Sequence, residues 1–320
     1  MNAAYRATAT MMYDNGYNID RTNYIEVSVF SRWIFHTTAT RLWCKVVCDL
    51  YGSFPGYSKV GVVIDGAYTA TFTCTAAGIN TFTLDLAVGT KTVELITGLV
   101  DNGTGTHLGT WLFAAYLSGG VRVIEAAPSA ANRLVIYGDS IAVGAAATTP
   151  VQSGWPILVR DDYDGSTMLE AWGARSLNDN CATAGARTTF AALLAAYNPA
   201  RVWLAIGTND YGLDKWSAAD FGTAYADLLD KLHVALPSAT AYCQTPIERT
   251  DESANGFGDT LGDYRTQINT AVSTRGPWAI LVDGTGAAFP QAPGDLADGL
   301  HPTTAGHAKY RTAVEAELGI

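Results

Sequence analysis

Positive charge is scarce in this sequence: 20 Lys and Arg stand against 30 Asp and Glu, a formal charge of −10. No run of Lys or Arg occurs, so a docking patch for nucleic acid or for an anionic membrane is not expected, and a neutral substrate suits the chain better. Charged residues of either sign make up 16% and hydrophobic residues 48%. That balance belongs to a compact folded chain and excludes a disordered one. Long apolar runs are missing too. No stretch approaches the roughly 18 consecutive apolar residues of a membrane span, and residues 1–20 lack the basic-then-apolar layout of a secretory signal. Neither nucleic acid nor membrane is therefore an expected partner. The sequence carries no signal for a cellular address or an oligomeric state.

Other devices are absent. The five cysteines, Cys44, Cys48, Cys74, Cys181 and Cys243, are odd in number and without compact spacing, so no disulfide framework and no metal site is expected. Cys44 and Cys48 sit four apart in a β-like run, on one face, and read as small apolar packing residues, with a disulfide or metal pair as the alternative. The Gly-x-Ser-x-Gly elbow fails because Ala142 stands where its last glycine belongs. Gly103-Thr104-Gly105 lies among strands with no helix after it, which excludes a dinucleotide loop.

What is present falls into two halves. From Tyr24 to about Ala127, short runs of Val, Ile, Thr and aromatics alternate with polar residues, punctuated by Asp65-Gly66, Ala77-Gly78 and Asp101-Asn102-Gly103. Many short strands at this spacing predict an all-β sandwich, a jelly roll, over residues 1–130. Trp33, Trp43 and Trp111 read as its core aromatics, with a sugar-stacking platform as the alternative. After a short linker, Ala126–Ala130, apolar strands alternate with helical patterns. Leu134–Tyr137, Val202–Ile206, Ala239–Cys243 and Ile280–Val282 read as buried parallel strands. Phe221–Leu236, Leu261–Thr274 and Thr303–Leu318 read as amphipathic helices. Residues 131–320 are thus expected to form a three-layer α/β/α domain around a parallel sheet, with ligands at the carboxyl ends of the strands.

The chemistry-bearing residues fall there. Gly138-Asp139-Ser140 follows the first strand and can present a serine hydroxyl at the sheet's rim; as a bare tripeptide it also suits a helix cap. Gly207-Thr208-Asn209-Asp210 follows the second. It reads either as an Asx turn or as a source of an amide donor, Asn209, for an oxyanion. Gly185 closes the small-residue run Cys181–Gly185 and offers a backbone N–H with no side chain in the way. In Asp298-Gly299-Leu300-His301-Pro302, the three-residue offset lets a carboxylate orient an imidazole from one stiffened loop. His36, His107, His233 and His307 have no such partner and read as structural.

Gly138-Asp139-Ser140, Gly185, Gly207-Thr208-Asn209-Asp210 and Asp298-x-x-His301-Pro302 resemble, in order, the four blocks of the SGNH (GDSL-like) hydrolases, over about residues 133–318. Trp155-Pro156 and Asp259–Arg265 are similar to that family's sugar-active bacterial members. The β-rich half is similar in architecture to the jelly rolls that precede some carbohydrate esterase domains. The resemblance implies Ser140 as nucleophile, His301 as base and Asp298 as its orienting acid. It implies an oxyanion hole from the Ser140 and Gly185 N–H groups and the Asn209 side chain. No cofactor or metal is called for. The expected activity is hydrolysis of a short acyl ester, acetyl on a carbohydrate foremost, so the expected partner is a small-molecule or glycan ester. A lysophospholipase, thioesterase or aryl esterase is the alternative within the family. A glycan-binding protein with an inert hydrolase half is the alternative outside it, and a dinucleotide-dependent redox enzyme is remoter still.

Overall fold

The computed structural model describes residues 25–26, 32–37, 40–48, 59–73, 78–98, 110–118, 122–124, 132–148, 153–163, 167–171, 173–196 and 198–320. The chain divides into two compact units, residues 1–127 and 128–320.

In the first unit the β-branched and aromatic runs form nine strands among the described residues. They are β1 (Ile25–Glu26), β2 (Arg32–Thr37), β3 (Arg41–Cys48), β4 (Lys59–Ile64), β5 (Ala67–Thr73), β6 (Gly78–Asp85), β7 (Lys91–Gly98), β8 (Thr110–Ser118) and β9 (Arg122–Ile124). They pair antiparallel in two sheets, ordered β1-β8-β3-β6 and β5-β4-β7-β2-β9. The hairpin from β4 to β5 turns on Asp65 and Gly66, both at positive φ (50° and 79°), the conformation a tight hairpin demands. Val60, Val62, Val93 and Leu95 are buried. Phe72 on one sheet stacks on Phe82 of the other, ring centroids 4.9 Å apart. The proposed linker at 126–130 and the side chains of Trp33, Trp43, Trp111, Cys44 and Cys48 lie outside the described residues.

The second unit is a five-stranded parallel sheet with flanking helices. Its strands are β10 (Leu134–Gly138), β11 (Thr167–Ala171), β12 (Arg201–Ala205), β13 (Thr240–Gln244) and β14 (Ala279–Val282), in the order β11-β10-β12-β13-β14 and all parallel. Four of these match the apolar runs read from the sequence; the fifth, β11, is an edge strand that the reading passed over.

Alternate residues of these strands serve two helical layers, as a parallel sheet requires. On one face Trp203 of β12 packs near Trp155 of helix α2 (Trp155–Asp162), which stacks at 4.6 Å on Tyr310 of the C-terminal helix (Thr304–Leu318). On the other, Tyr137 of β10 meets Phe190 of the helix Ala184–Ala196 at 4.8 Å. The next helix on that side, Ala218–Ala235, buries Phe221, Tyr225, Leu228, Leu229 and Leu232. Among the described residues no helix is long and apolar enough to cross a membrane.

Strand order decides where chemistry is placed. From β10 the chain moves to β11 on one side, then returns to β12 on the other. The carboxyl ends of β10 and β12, Gly138 beside Ala205, are therefore a switch point, where a crevice opens in sheets of this kind.

Candidate active site

Ser140 begins the four-residue helix α1 (Ser140–Val143), two residues beyond β10. Asp139 caps this helix, its carboxylate accepting the Ile141 N–H at 2.9 Å, and Gly144 closes it at φ 85°. The turn from strand to helix is so tight that a Cβ on Gly138 would stand 2.5 Å from the Ala142 methyl, which leaves glycine as the residue that fits. Ser140 is buried. Its N–H is first in the helix and has no intrahelical acceptor.

His301 arrives from the opposite end of the sequence, in the loop before the C-terminal helix. Its Nε2 lies 2.8 Å from the Ser140 hydroxyl, and its Nδ1 lies 2.7 Å from Asp298 Oδ2. With the proton on Nδ1, the ring donates to Asp298 and accepts from Ser140. Asp298 also shapes the loop, Oδ1 accepting the N–H groups of Leu300 (3.0 Å) and His301 (2.7 Å), while Gly299 takes φ 83°. Burial by itself would raise the Asp298 carboxyl. The His301 N–H, the imidazole and the Leu300 N–H outweigh it and hold the acid at about 2.

A second histidine supports the first turn of this site from behind. His307 is fully buried. Its Nε2–H donates to the Ala145 carbonyl at 3.0 Å and its Nδ1 accepts the Trp155 N–H at 3.4 Å. Ala145 in turn donates its N–H to the Ser140 carbonyl. Burial, aided by the neighbouring His301, lowers His307 to about 4, so it is neutral here and ties together two points of the chain that follows the serine, Ala145 and Trp155. Its structural reading from sequence stands.

Asn209 lies in helix α5 (Thr208–Gly212), just past β12, beyond Gly207 at φ 123°. A Cβ on Gly207 would meet the Phe221 ring at 3.1 Å and Pro246 at 3.3 Å. One Asn209 amide hydrogen goes to the Arg175 carbonyl at 2.9 Å; the other meets no acceptor among the described residues.

Ser140, His301 and Asp298 thus form one hydrogen-bonded chain, and Asn209 stands at the neighbouring strand end. Gly185 does not join them. It occupies the first turn of the exposed start of helix α4 (Ala184–Ala196), and a Cβ there would find only Thr183 within 4 Å. The segment Gly173–Ser176, with Ala174 at φ 55°, follows β11 and meets the Asn209 side chain through the Arg175 carbonyl. The sequence reading passed over β11 and so did not weigh this segment beside Gly185. A legible signal was Ser176-x-x-Asp179, a capping box at the start of helix α3 (Leu177–Cys181), which marks a helix opening shortly after a strand.

Two further residues were given no role in the sequence reading, Arg175, which it passed over, and Asp210, which it quoted only as part of a block. Arg175 is fully buried, donating to the Glu170 carbonyl (2.6 Å), Glu170 Oε1 (3.1 Å) and Asn180 Oδ1 (2.7 Å), with its guanidinium 4.3 Å over the Tyr137 ring. Asp210 is also fully buried. Desolvation raises its carboxyl to about 7, against the pull of N–H groups from Leu177 and Asn178. Among the described residues no cluster of three or more His, Cys, Asp or Glu could hold a metal ion.

The loop between β13 and helix α7 (Leu261–Ser273) borders the histidine loop. Thr250 donates its N–H to the Gly299 carbonyl at 2.9 Å. Arg265 ties the near end down through the Pro246 and Ile247 carbonyls and both Glu252 oxygens. Of the loop's two large apolar residues, Ile247 is buried and Phe257 is 51% exposed.

The model of the GDSL-like Lipase/Acylhydrolase family matches residues 136–309. No curated protein sequence matches the chain. Solved structures match along most of it. A family two carbohydrate esterase from Clostridium thermocellum, in complex with cellohexaose, is 17% identical over 94% of this chain and 97% of that one, with a TM-score of 0.69. An acetyl xylan esterase (Est2A) from Butyrivibrio proteoclasticus is 15% identical over 94% and 98%, with a TM-score of 0.64. The salicylyl-acyltransferase SsfX3 of a tetracycline biosynthetic pathway is 18% identical over 90% and 82%, with a TM-score of 0.69. At such identities the likeness concerns the fold.

Proposed function

The chain belongs to the GDSL-like lipase/acylhydrolase family, and from that membership we propose that it is a serine esterase removing short acyl groups, acetyl foremost, from carbohydrates. The observation that carries the reading is the relay Ser140–His301–Asp298, at 2.8 and 2.7 Å. His301 takes the Ser140 proton as the oxygen attacks the ester carbonyl. Asp298, ionised at any neutral pH, favours the imidazolium that results. The tetrahedral oxyanion is received by the Ser140 N–H and the second amide hydrogen of Asn209. Collapse expels the sugar alkoxide, protonated by His301, and leaves acyl-Ser140. Water, deprotonated by the same imidazole, then releases the acid. Gly185 is left out of this set because it is exposed in the first turn of helix α4 and makes no hydrogen bond to the other members. No step calls on a cofactor.

In this reading residues 131–320 are the catalytic domain and residues 1–130 a jelly-roll accessory domain. Support for the latter is the pair of antiparallel sheets joined by the Phe72–Phe82 stack and the 94% coverage by the esterase structures. Short acyl groups are favoured by the loop that borders the histidine, where Phe257 is the large apolar residue left exposed. Each acyl methylene buried in an apolar groove gains about 0.8 kcal/mol, and this rim offers little to collect it. The glycan side of the proposal draws on the neighbours' substrates.

The test is a chain-length series of p-nitrophenyl esters run beside acetylated oligosaccharides. Acetyl and propionyl esters should give the highest kcat/KM, with a sharp fall by octanoyl. A kcat/KM that climbs from acetyl to octanoyl replaces the carbohydrate reading with a lipid-ester one. Binding to polysaccharide without turnover of any ester would favour the inert, glycan-binding alternative.

A further inference from the structure

Asp210 touches none of the proposed reacting atoms, yet it is fully buried beside Asn209. Its two oxygens accept consecutive backbone N–H groups at the start of helix α3, Leu177 at 2.8 Å and Asn178 at 3.2 Å. The preceding residue, Asn209, donates to the carbonyl of Arg175, two residues upstream of Leu177. Two neighbours in helix α5 thus grip the segment Arg175–Asn178 with opposite polarity, one accepting and one donating. That segment is in turn anchored to the strand that leads to Ser140, because the Arg175 guanidinium lies over Tyr137 of β10.

We infer that Asp210 is a positioning residue: its double bond to the start of helix α3 fixes helix α5 and so aims the Asn209 amide at the developing oxyanion. The inference rests on the esterase reading and assigns that reading a residue it does not otherwise need. A buried carboxylate is an expensive way to hold a loop, and burial does push this one up to about 7. The clamp is what it supplies in return. A donor displaced by about 1 Å can lose about 10²-fold in rate, so slackening the clamp acts on kcat and leaves ground-state binding nearly alone.

The experiment is a double-mutant cycle on the full chain with p-nitrophenyl acetate, using Asp210→Asn, Asn209→Ala and the pair. Asp210→Asn keeps the shape but sets an amide group against one of the two N–H donors. We expect it to lower kcat about 10-fold with KM within about twofold, against about 10² to 10³ for Asn209→Ala. In the Asn209→Ala background the same change should cost less than about twofold, because the group it positions is gone. Equal losses in both backgrounds would make Asp210 structural only, and no loss in either would remove it from the account; both overturn the inference. Should Asp210→Asn not fold, Asn178→Pro deletes the longer of the two N–H bonds within a first helical turn, where proline is tolerated. It should show the same dependence on Asn209, and its absence is equally fatal. The esterase reading fails separately, on a wild-type protein without turnover or on a fully active Ser140→Ala variant.

Discussion

The loop of His301 and the turn of Asn209 use the same device in opposite surroundings. In each, an aspartate accepts two consecutive backbone N–H groups: Asp298 from Leu300 and His301, Asp210 from Leu177 and Asn178. Asp298, its side chain 55% exposed, has an imidazole to pair with and falls to about 2. Asp210 is sealed in with no such partner and rises to about 7. The backbone bonds are alike, though local for Asp298 and long-range for Asp210; deeper burial and the lack of an imidazole partner separate an acid held at about 2 from one that titrates near neutrality. The first can serve charge that appears on its histidine. The second serves geometry.

The widest separation between the two should appear in turnover. Asp298→Asn is expected to lower kcat by about 10² or more, since the imidazole loses both its orienting acceptor and its ionic partner. Asp210→Asn, acting at one remove, should cost about a tenth of that. Steady-state kinetics of the two variants check the ranking, and a smaller loss at Asp298 than at Asp210 would reverse the roles assigned here.

Stability against pH should set the two carboxylates in opposition. The folded-state value of Asp298 lies below its unfolded value near 4, so its contribution is present above about pH 4 and is lost as pH falls toward 2. Asp210 lies above its unfolded value, so its contribution is complete below about pH 4 and is lost as pH rises through about 7. In thermal melts between pH 2 and 8, Asp298→Asn should flatten the acid side of the Tm profile and Asp210→Asn the slope between pH 4 and 7. Because Asp298 is half exposed, its effect should be the smaller. Parallel profiles for both variants would contradict the burial argument.

Much of the catalytic unit was legible because the relevant residues follow continuous apolar strands. β10, β12, β13 and β14 read as buried runs, and Ser140 and Asn209 stand two and four residues beyond two of them. His301 was legible through the fixed offset of Asp298, a local feature. β11 was not, for a physical reason. It is an edge strand of five residues with Glu170 in it, and that charge is tolerated only because Arg175 lies buried against it. A salt bridge between a strand and the loop after it leaves no period in the sequence. The segment after β11 was therefore not weighed beside Gly185. The smallest predicted effect tests the place of Gly185: Gly185→Ala should leave kcat within about twofold and add at most about 0.5 kcal/mol of stability, as alanine replaces glycine in a first helical turn. A loss beyond 10-fold in kcat would return Gly185 to the oxyanion hole.

The account's central claim is that Ser140, activated by His301, forms the covalent intermediate. Treating the protein with a fluorophosphonate and mapping the adduct by peptide mass spectrometry tests it directly. The account predicts one stoichiometric adduct on the peptide that carries Ser140, with labelling lost in His301→Ala. Labelling at another residue, or undiminished labelling of Ser140 without His301, would contradict it.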